Sequence, residues 1–286
     1  MAGQREPAAV IALCVMALLA FAANSILCRT ALQSGSIDAA SFTAVRIGSG
    51  ALVLFVLARG PARTKLGAGS WASSAALFGY AAAFSFAYLR VTTATGALIL
   101  FAVVQATMIG WGVVRGSRPR ALEWLGLAIA AAGLVTLTLP GLAAPDPLGA
   151  ILMAGAGACW GVYSLRGRGA DRPLAATADN FVRALPMAAV LLLAIPIAGG
   201  ALSVEGVVLA CASGGIASGL GYTVWYAVLP SLPPARAAIV QLAVPVLAAA
   251  GGAVVLAEPV TPRLAVATLA ILGGIALALV AKRPVR

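Results

Sequence analysis

Long apolar stretches separated by short polar segments fill this chain almost end to end. Each stretch is close to the roughly 20 residues that a helix needs to cross the hydrocarbon core of a bilayer. Ten stretches can be drawn, five on either side of the loop Pro140 to Pro147. The pattern predicts spans at Ala8–Leu32, Ala39–Ala58, Trp71–Leu89, Thr93–Val114, Leu122–Leu139, Leu148–Leu165, Asn180–Ala198, Glu205–Val228, Pro234–Leu256 and Leu264–Ala281.

Two sets of five spans favour an internal duplication. Because five is odd, a second half with the same fold must enter the membrane upside down relative to the first, as in many secondary transporters. Residues 93–136 align without gaps onto residues 234–277, although only eight of the 44 pairs are identical. We therefore predict an all-α membrane protein with ten transmembrane helices in two inverted five-helix repeats, residues 1–140 and 141–286.

Composition narrows the functional classes. The 286 residues are 62% hydrophobic and 9% charged, with mean hydropathy +1.03, so little chain remains for a soluble domain. A Walker-type GxxxxGK[ST] sequence is absent, which argues against ATP as a direct energy source. The net charge of +11 comes mainly from Arg residues at span ends, and it therefore predicts topology and a lipid environment rather than a nucleic acid partner.

Basic residues at the span ends predict the orientation. With a cytoplasmic N-terminus, thirteen lie inside and only Arg29, Arg90 and Arg263 lie outside, so both termini should be cytoplasmic. The inside residues are Arg5, Arg59, Arg63, Lys65, Arg115, Arg118, Arg120, Arg166, Arg168, Arg172, Lys282, Arg283 and Arg286.

Metal, cofactor and proton-relay chemistry all lack candidate residues. There is no histidine, and Cys14, Cys28, Cys159 and Cys211 lie in apolar segments without CxxC spacing, which favours packing roles. All eight acidic residues, including Asp38, Asp179 and Glu258, are placed in loops or at span ends. We expect no metal and no cofactor, and transport that needs no proton gradient.

Several paired signatures identify a family resemblance. The first half has Phe21-Ala22-Ala23-Asn24-Ser25 followed by Arg46, and the second has Cys159-Trp160-Gly161-Val162-Tyr163 followed by Arg183. Pro245, Gly251 and Leu256-Ala257-Glu258-Pro259-Val260-Thr261 precede a final helix with Gly273 and Gly274. This series resembles the drug/metabolite transporter superfamily, specifically EamA-type ten-helix carriers, and is most similar to bacterial exporters of aromatic and other amino acids. The resemblance departs at Val104, where the family often has a proline, and at Ser117, which aligns with Glu258.

Polar side chains inside spans are functional candidates because burying them in hydrocarbon is costly. Asn24, Gln105 and Gln241 offer amide donors and an acceptor that suit an amino acid, or they join helices. The Arg46 guanidinium is able to pair with a carboxylate; the alternatives are snorkelling and pairing with Asp38. Arg183 has the same options, with Asp179 as its acidic partner.

Aromatic rings recur where a cavity wall is expected. Tyr80, Phe84 and Tyr88 are spaced four residues apart, and Trp160 and Tyr163 share span six; we predict that Tyr80, Phe84, Trp160 and Tyr163 contact substrate. A second group falls near the predicted cytoplasmic interface and is assigned to an aromatic belt. It comprises Trp71, Trp111, Trp124, Trp225 and Tyr226.

Small residues and prolines predict packing and bends. The GxxxG motifs Gly157–Gly161 and Gly215–Gly219 indicate close helix contacts. Pro186, Pro196 and Pro245 interrupt helical hydrogen bonding, as static kinks or as bend points for opening and closing.

The combined prediction is a secondary transporter that exports amino acids, aromatic ones included, or related small metabolites across the bacterial inner membrane by alternating access. Multidrug or lipophilic-cation efflux is the second carrier hypothesis, and a pore is the third. An intramembrane enzyme is disfavoured because the usual acid, base and metal constellations are missing, so no catalytic residue is assigned. The oligomeric state stays open.

Overall fold

The computed structural model describes residues 6–59, 68–116, 120–139, 144–167, 170, 172–194, 202–232 and 234–281, which contain helices and no strand. The first seven helices are α1 Pro7–Gln33, α2 Ala39–Arg59, α3 Trp71–Tyr88, α4 Thr93–Val114, α5 Ala121–Thr138, α6 Pro147–Gly167 and α7 Pro173–Ala194. The eighth span comprises α8 Val204–Cys211, a π-helical stretch Ala212–Leu220 and α9 Gly221–Val228. The ninth comprises α10 Pro234–Gln241 and α11 Ala243–Leu256, and α12 Pro262–Ala281 is the tenth. The predicted all-α membrane fold is confirmed.

Within the described residues, nine helical segments are long and apolar enough to cross a membrane, against the ten predicted. The remaining segment is α3, which has 18 residues and packs between its neighbours. Its hydropathy is lowered by Ser73, Ser74, Tyr80, Ser85 and Tyr88, all of which are buried in the bundle. Polar groups that face protein rather than lipid are tolerated in a spanning helix.

The seventh span begins earlier than predicted. Helix α7 starts at Pro173 rather than Asn180, and a proline suits the first helical turn, where its missing N–H group is not needed. Asp179 was predicted at a span end but is buried within the helix, where it accepts hydrogen bonds from the Gly69 N–H and from Arg183. Residues 173–179 resemble a loop in sequence because the polar side chain of Asp179 is stabilised by Gly69, which is distant along the chain.

The main helix contacts are reciprocal between the two halves. Helix α5 packs on α12, and α2 packs on α7. The α3–α6 contact is mirrored by α1 on the eighth span, and the α4–α6 contact is mirrored by α1 on α11. Such exchange of partners is what two five-helix units related by a pseudo-two-fold axis produce.

Glycines allow the closest helix contacts. A Cβ built on Gly126 of α5 would lie 2.5 Å from the Gly274 carbonyl oxygen of α12. At Gly157 it would lie 2.7 Å from the Leu100 carbonyl oxygen, and at Gly215 it would contact Val53. The predicted packing role of the two GxxxG motifs is therefore confirmed.

Two spans are interrupted near their middle. The eighth widens into the π-helical stretch, and the ninth breaks at Leu242, whose N–H bonds to the Ile239 carbonyl. Pro245 explains the break, because it has no N–H to donate to the carbonyl four residues earlier, that of Gln241. Pro186 lies inside α7.

Some predictions fall outside the described residues. They concern the boundary between residues 140 and 141, together with Arg5, Arg63, Lys65, Ser117, Arg118, Arg168, Asp171, Pro196, Lys282, Arg283 and Arg286.

Candidate functional site

A buried polar cluster joins helices α1, α2 and α3 to the π-helical stretch. At its centre Arg46, only 2% exposed, donates to the Tyr80 hydroxyl at 3.0 Å and to the Ser218 hydroxyl at 3.5 Å. Asn24 donates to the same tyrosine oxygen at 3.2 Å and accepts a hydrogen bond from Ser213. We call these five residues the Arg46 cluster.

The guanidinium of Arg46 also lies against two aromatic rings. Its Cζ atom is 5.0 Å from the Tyr80 ring centroid and 4.9 Å from that of Phe84, both within cation–π range. One of its nitrogens, Nη1, is buried and has no hydrogen-bond partner among the described residues. Burying a charge inside a spanning helix is costly, which makes Arg46 a candidate functional residue.

The π-helical stretch explains how two serines reach this cluster. Ser213 and Ser218 are five residues apart, and i to i+5 hydrogen bonding widens the turn so that both face the same neighbours. Gly214 lies between them, and a Cβ there would collide with the backbone carbonyl of Arg46. The glycine therefore permits the close approach of the eighth span to α2.

Aromatic rings extend from the Arg46 cluster into a continuous wall. The ring centroids of Tyr80 and Trp160 are 4.8 Å apart, and those of Trp160 and Tyr222 are 5.1 Å apart. Phe21 continues the series at 5.9 Å from Tyr222 and 5.9 Å from Trp225. Aromatic rings in tilted or edge-on contact at these distances attract one another, so each ring of the wall is held in a fixed orientation.

A cavity of about 440 Å³ lies on the far side of this wall. It is bounded by the ends of α6 and α9, the start of α7 and helix α10, and it is mainly apolar. Its lining comprises Met108, Trp160, Ser164, Gly167, Ala170, Pro173, Tyr222, Trp225, Tyr226, Leu229, Pro230, Leu232, Ala237 and Gln241.

A second pocket of only about 20 Å³ lies between the large cavity and the Arg46 cluster. Asn24, Tyr80 and Phe84 line it on the cluster side. Trp160, Tyr222 and Gln241 line both spaces. These three side chains therefore form the partition between the cavity and the buried charge.

The opposite end of the bundle is closed by an ion pair. Arg29 of α1 lies 3.3 Å from the Glu258 carboxylate, and both side chains are largely buried. Arg29 also donates to the Tyr88 carbonyl at 2.6 Å, while Glu258 accepts from the Thr93 N–H at 2.8 Å. This Arg29–Glu258 latch ties α1, the α3–α4 turn and the segment after α11 together.

The predicted substrate-contacting residues divide into two groups. Asn24, Arg46, Tyr80, Phe84 and Trp160 converge on the small pocket and its surroundings, and Gln241 lines both spaces. Arg46 neither snorkels nor pairs with Asp38, whose carboxylate caps α2. Gln105 and Tyr163 are buried but are not among the residues lining either cavity.

Two predictions about neighbouring residues are wrong. Trp225 was assigned to an interfacial belt, yet it is buried against Phe21 and lines the large cavity, as does Tyr226. Cys211 was assigned to packing but is exposed on the outside of the bundle. In contrast, Arg183 pairs with Asp179 at 3.1 Å, which was one of the two alternatives for it.

Sequence reasoning missed three residues of the site: Ser213, Ser218 and Tyr222. The serines lie among glycines and alanines, where they look like small packing residues. Tyr222 lies four residues before Tyr226 on α9, a spacing that offered a signal. Its position in the aromatic wall becomes visible only when α1, α6 and α9 are brought together.

Among the described residues, no group of His, Cys, Asp and Glu side chains could hold a metal ion. The site is thus built from one cation, amides, hydroxyls and aromatic rings. Such groups bind and orient an organic solute.

Comparisons with known proteins bear on the family and the fold. Residues 147–280 match the EamA-like transporter family. The protein PA1977 of Pseudomonas aeruginosa, described as uncharacterized, is 54% identical over 270 residues that cover 93% of each chain. One solved protein crystal structure has a TM-score of 0.67 at 20% identity, covering 98% of this chain and 100% of that one, a likeness of fold.

Proposed function

The chain belongs to the EamA-like transporter family through its domain at residues 147–280, and from that premise we propose that it is a secondary carrier that exports amino acids or related small metabolites by alternating access. Family membership implies a multi-pass membrane transporter of small solutes. The substrate class, the direction and the mechanism are the parts that we propose.

One observation carries the proposal: a cavity of about 440 Å³ reaches from one end of the bundle to an aromatic partition in front of a buried arginine. This volume is within the range of small-molecule sites. The rings of Trp160, Tyr222 and Trp225 offer flat apolar surfaces, and Gln241 offers an amide. These features support a small organic substrate with a flat side chain, either an aromatic amino acid or a related aromatic metabolite.

The Arg29–Glu258 latch supports alternating access. The bundle has a cavity at one end and a buried ion pair at the other. A carrier that exposes its site to one side at a time must pass through such a state.

The positive-inside rule supports a direction. If the termini are cytoplasmic, the large cavity faces the cytoplasm and the latch faces the outside of the inner membrane. An exporter loads its substrate from the cytoplasm in that state. Efflux of lipophilic cations is disfavoured because the charge beyond the partition is that of Arg46, which repels a cation.

Uptake into proteoliposomes tests the proposal. The purified protein should give saturable counterflow with members of a panel of labelled amino acids and related acids. Collapsing the pH gradient should leave this counterflow intact, because the two buried acids in the described part of the bundle, Asp179 and Glu258, are each paired with an arginine. Flux that rises linearly with concentration would indicate a pore instead, and loss of counterflow with an uncoupler would reveal a coupled proton.

Two substitutions in the partition test the site itself. We expect Gln241→Leu and Trp160→Ala each to lower transport at least about tenfold, equivalent to about 1.4 kcal/mol of lost interaction. Trp111→Ala is the matched control, because Trp111 is about half exposed and outside both cavity linings. Normal transport by both partition variants, or loss only through unfolding, would assign a structural role to these residues.

A further inference from the structure

Among the residues that the structure describes, Arg46 has no acidic side chain beside its charge. Its hydrogen bonds go to two hydroxyl groups, and Nη1 has no partner among the described residues. The rings of Tyr80 and Phe84 cover it with their faces. A buried guanidinium is normally paired with a carboxylate or phosphate, because five N–H donors and a full charge need acceptors.

The acidic side chains that the structure describes are all engaged or exposed elsewhere. Asp179 pairs with Arg183 and Glu258 with Arg29, and Glu6 and Glu205 are exposed. The others cap helices: Asp38 at α2, Asp146 at α6 and Glu123 at α5. In the absence of substrate, the described interior around Arg46 therefore carries an uncompensated positive charge.

The remaining polar groups near Arg46 are neutral and mostly satisfied. Asn24 uses its amide nitrogen on Tyr80 and its oxygen on Ser213. Gln241 is the amide left facing the pocket. The ammonium group of an amino acid would thus enter a site that already holds one cation and offers no carboxylate.

We propose that the substrate is an aromatic monocarboxylate without an α-amino group, whose carboxylate pairs with Nη1 of Arg46 and whose ring lies against Trp160 and Tyr222. This rests on the proposed carrier function and specifies its substrate class. The substrate enters from the large cavity when the partition of Trp160, Tyr222 and Gln241 opens into the small pocket. The negative charge of the substrate neutralises the buried guanidinium. Substrate binding therefore lowers the cost of enclosing Arg46 when the carrier closes around its site.

This assignment has an electrical consequence. A monoanion that moves without a coupled proton carries one charge across the membrane, and 100 mV then biases its distribution roughly 50-fold at equilibrium. A cell that is negative inside would therefore drive export. A zwitterion carried in the same way would not respond to the potential.

Three compounds with the same ring and side-chain length test the charge requirement: 3-(4-hydroxyphenyl)propionate, tyrosine and tyramine. In proteoliposomes, after subtraction of flux into protein-free vesicles, we expect saturable uptake of the propionate with at least tenfold preference over tyrosine, and no saturable uptake of tyramine. An inside-positive potential set by a potassium gradient and valinomycin should accelerate uptake of the propionate. It should leave tyrosine uptake unchanged.

Substitutions at Arg46 supply the second readout. Arg46→Gln should lose the tenfold preference. Arg46→Lys should keep a preference for the anion at a reduced rate, since an ammonium group keeps the positive charge but lacks the planar guanidinium that also bonds to Tyr80 and Ser218. Arg115→Gln is the control, because Arg115 is exposed and stacks on Trp111. The unfolding temperature of Arg46→Gln should be no lower than that of the wild type, because a buried unpaired charge is removed. If the variant is unstable, the substrate preferences of the wild type and of Arg46→Lys still test the inference.

The outcomes separate this inference from the carrier function. Saturable transport of tyrosine or other amino acids with no preference for the propionate overturns the inference and leaves the carrier standing. Preference for tyramine overturns it as well. Absence of saturable flux for every compound tested overturns both.

Discussion

At the scale of single residues, the Tyr80 hydroxyl connects three helices. Its oxygen accepts hydrogen bonds from Arg46 and from Asn24, and Asn24 in turn accepts from Ser213. A phenolic oxygen can accept two bonds, so this one atom satisfies two buried donors. Gln105 differs, because its amide nitrogen is buried without a partner among the described residues.

Tyr80→Phe should therefore destabilise the protein although it keeps the ring. The change leaves the Arg46 and Asn24 donors unpaired in a low-dielectric interior, at a cost of about 1 to 3 kcal/mol. Thermal unfolding in detergent micelles measures the loss. Thr136→Val is the control, because the exposed Thr136 hydroxyl bonds only to its own helix; equal stability of the two variants would show that the cluster contributes little.

Among the helices, interruptions and end contacts lie where the proposed alternating access would require movement. The ninth span is broken at Leu242, next to the Gln241 of the partition, and the eighth is π-helical beside Arg46. The Arg29–Glu258 latch holds α1 to the turn before α4 and to the end of α11. If the bundle opens at the latch, Arg29 and Glu258 must separate and both charged groups become hydrated.

Glu258→Gln should favour that opening, and Cys28 reports it. Cys28 precedes Arg29 and is fully buried, so a membrane-impermeant maleimide should label it slowly in a variant that keeps only this cysteine. Removal of the charge should raise the labelling rate at least about tenfold, as a shift of about 1.4 kcal/mol in the opening equilibrium would. Glu205→Gln, an exposed acid at the start of α8, is the control; equal rates in all three proteins would exclude a latch function.

At the scale of the whole molecule, the two halves are alike in contacts and unlike at their ends. Glu258 of the second half aligns with Ser117 of the first. Glu258 supplies the carboxylate of the latch in the second half, whereas the aligned residue of the first half, Ser117, has no negative charge. If the protein works by alternating access as proposed, we expect this asymmetry to favour closure at the latch.

The count of basic residues at the span ends predicts that both termini are cytoplasmic. A cytoplasm-active fluorescent protein fused to the C-terminus should be bright, and alkaline phosphatase fused there should be inactive. Fusions after Ala68 and after Asp146 serve as the internal controls for inside and outside. Active phosphatase at the C-terminus would contradict both the ten-span topology and the proposed direction of export.

The all-α membrane fold and the close helix contacts could be predicted from the amino-acid sequence. Apolar stretches of bilayer length leave only helices as spanning elements, and Gly157–Gly161 and Gly215–Gly219 identified helix interfaces in advance. The start of α7 was not predictable, because Asp179 and Asn180 are stabilised by Gly69 and Ser70, more than one hundred positions away.

Which side chains meet around Arg46 could not be predicted from the sequence, because it depends on how the helices pack together. In a soluble protein, an apolar face predicts the core, but in a membrane both the lipid-facing and the interior faces are apolar. Hydropathy therefore could not distinguish the buried Trp225 from the exposed Trp111, nor direct Tyr222 toward Trp160. Those choices depend on helix rotation and on contacts between the two halves, which local sequence does not encode.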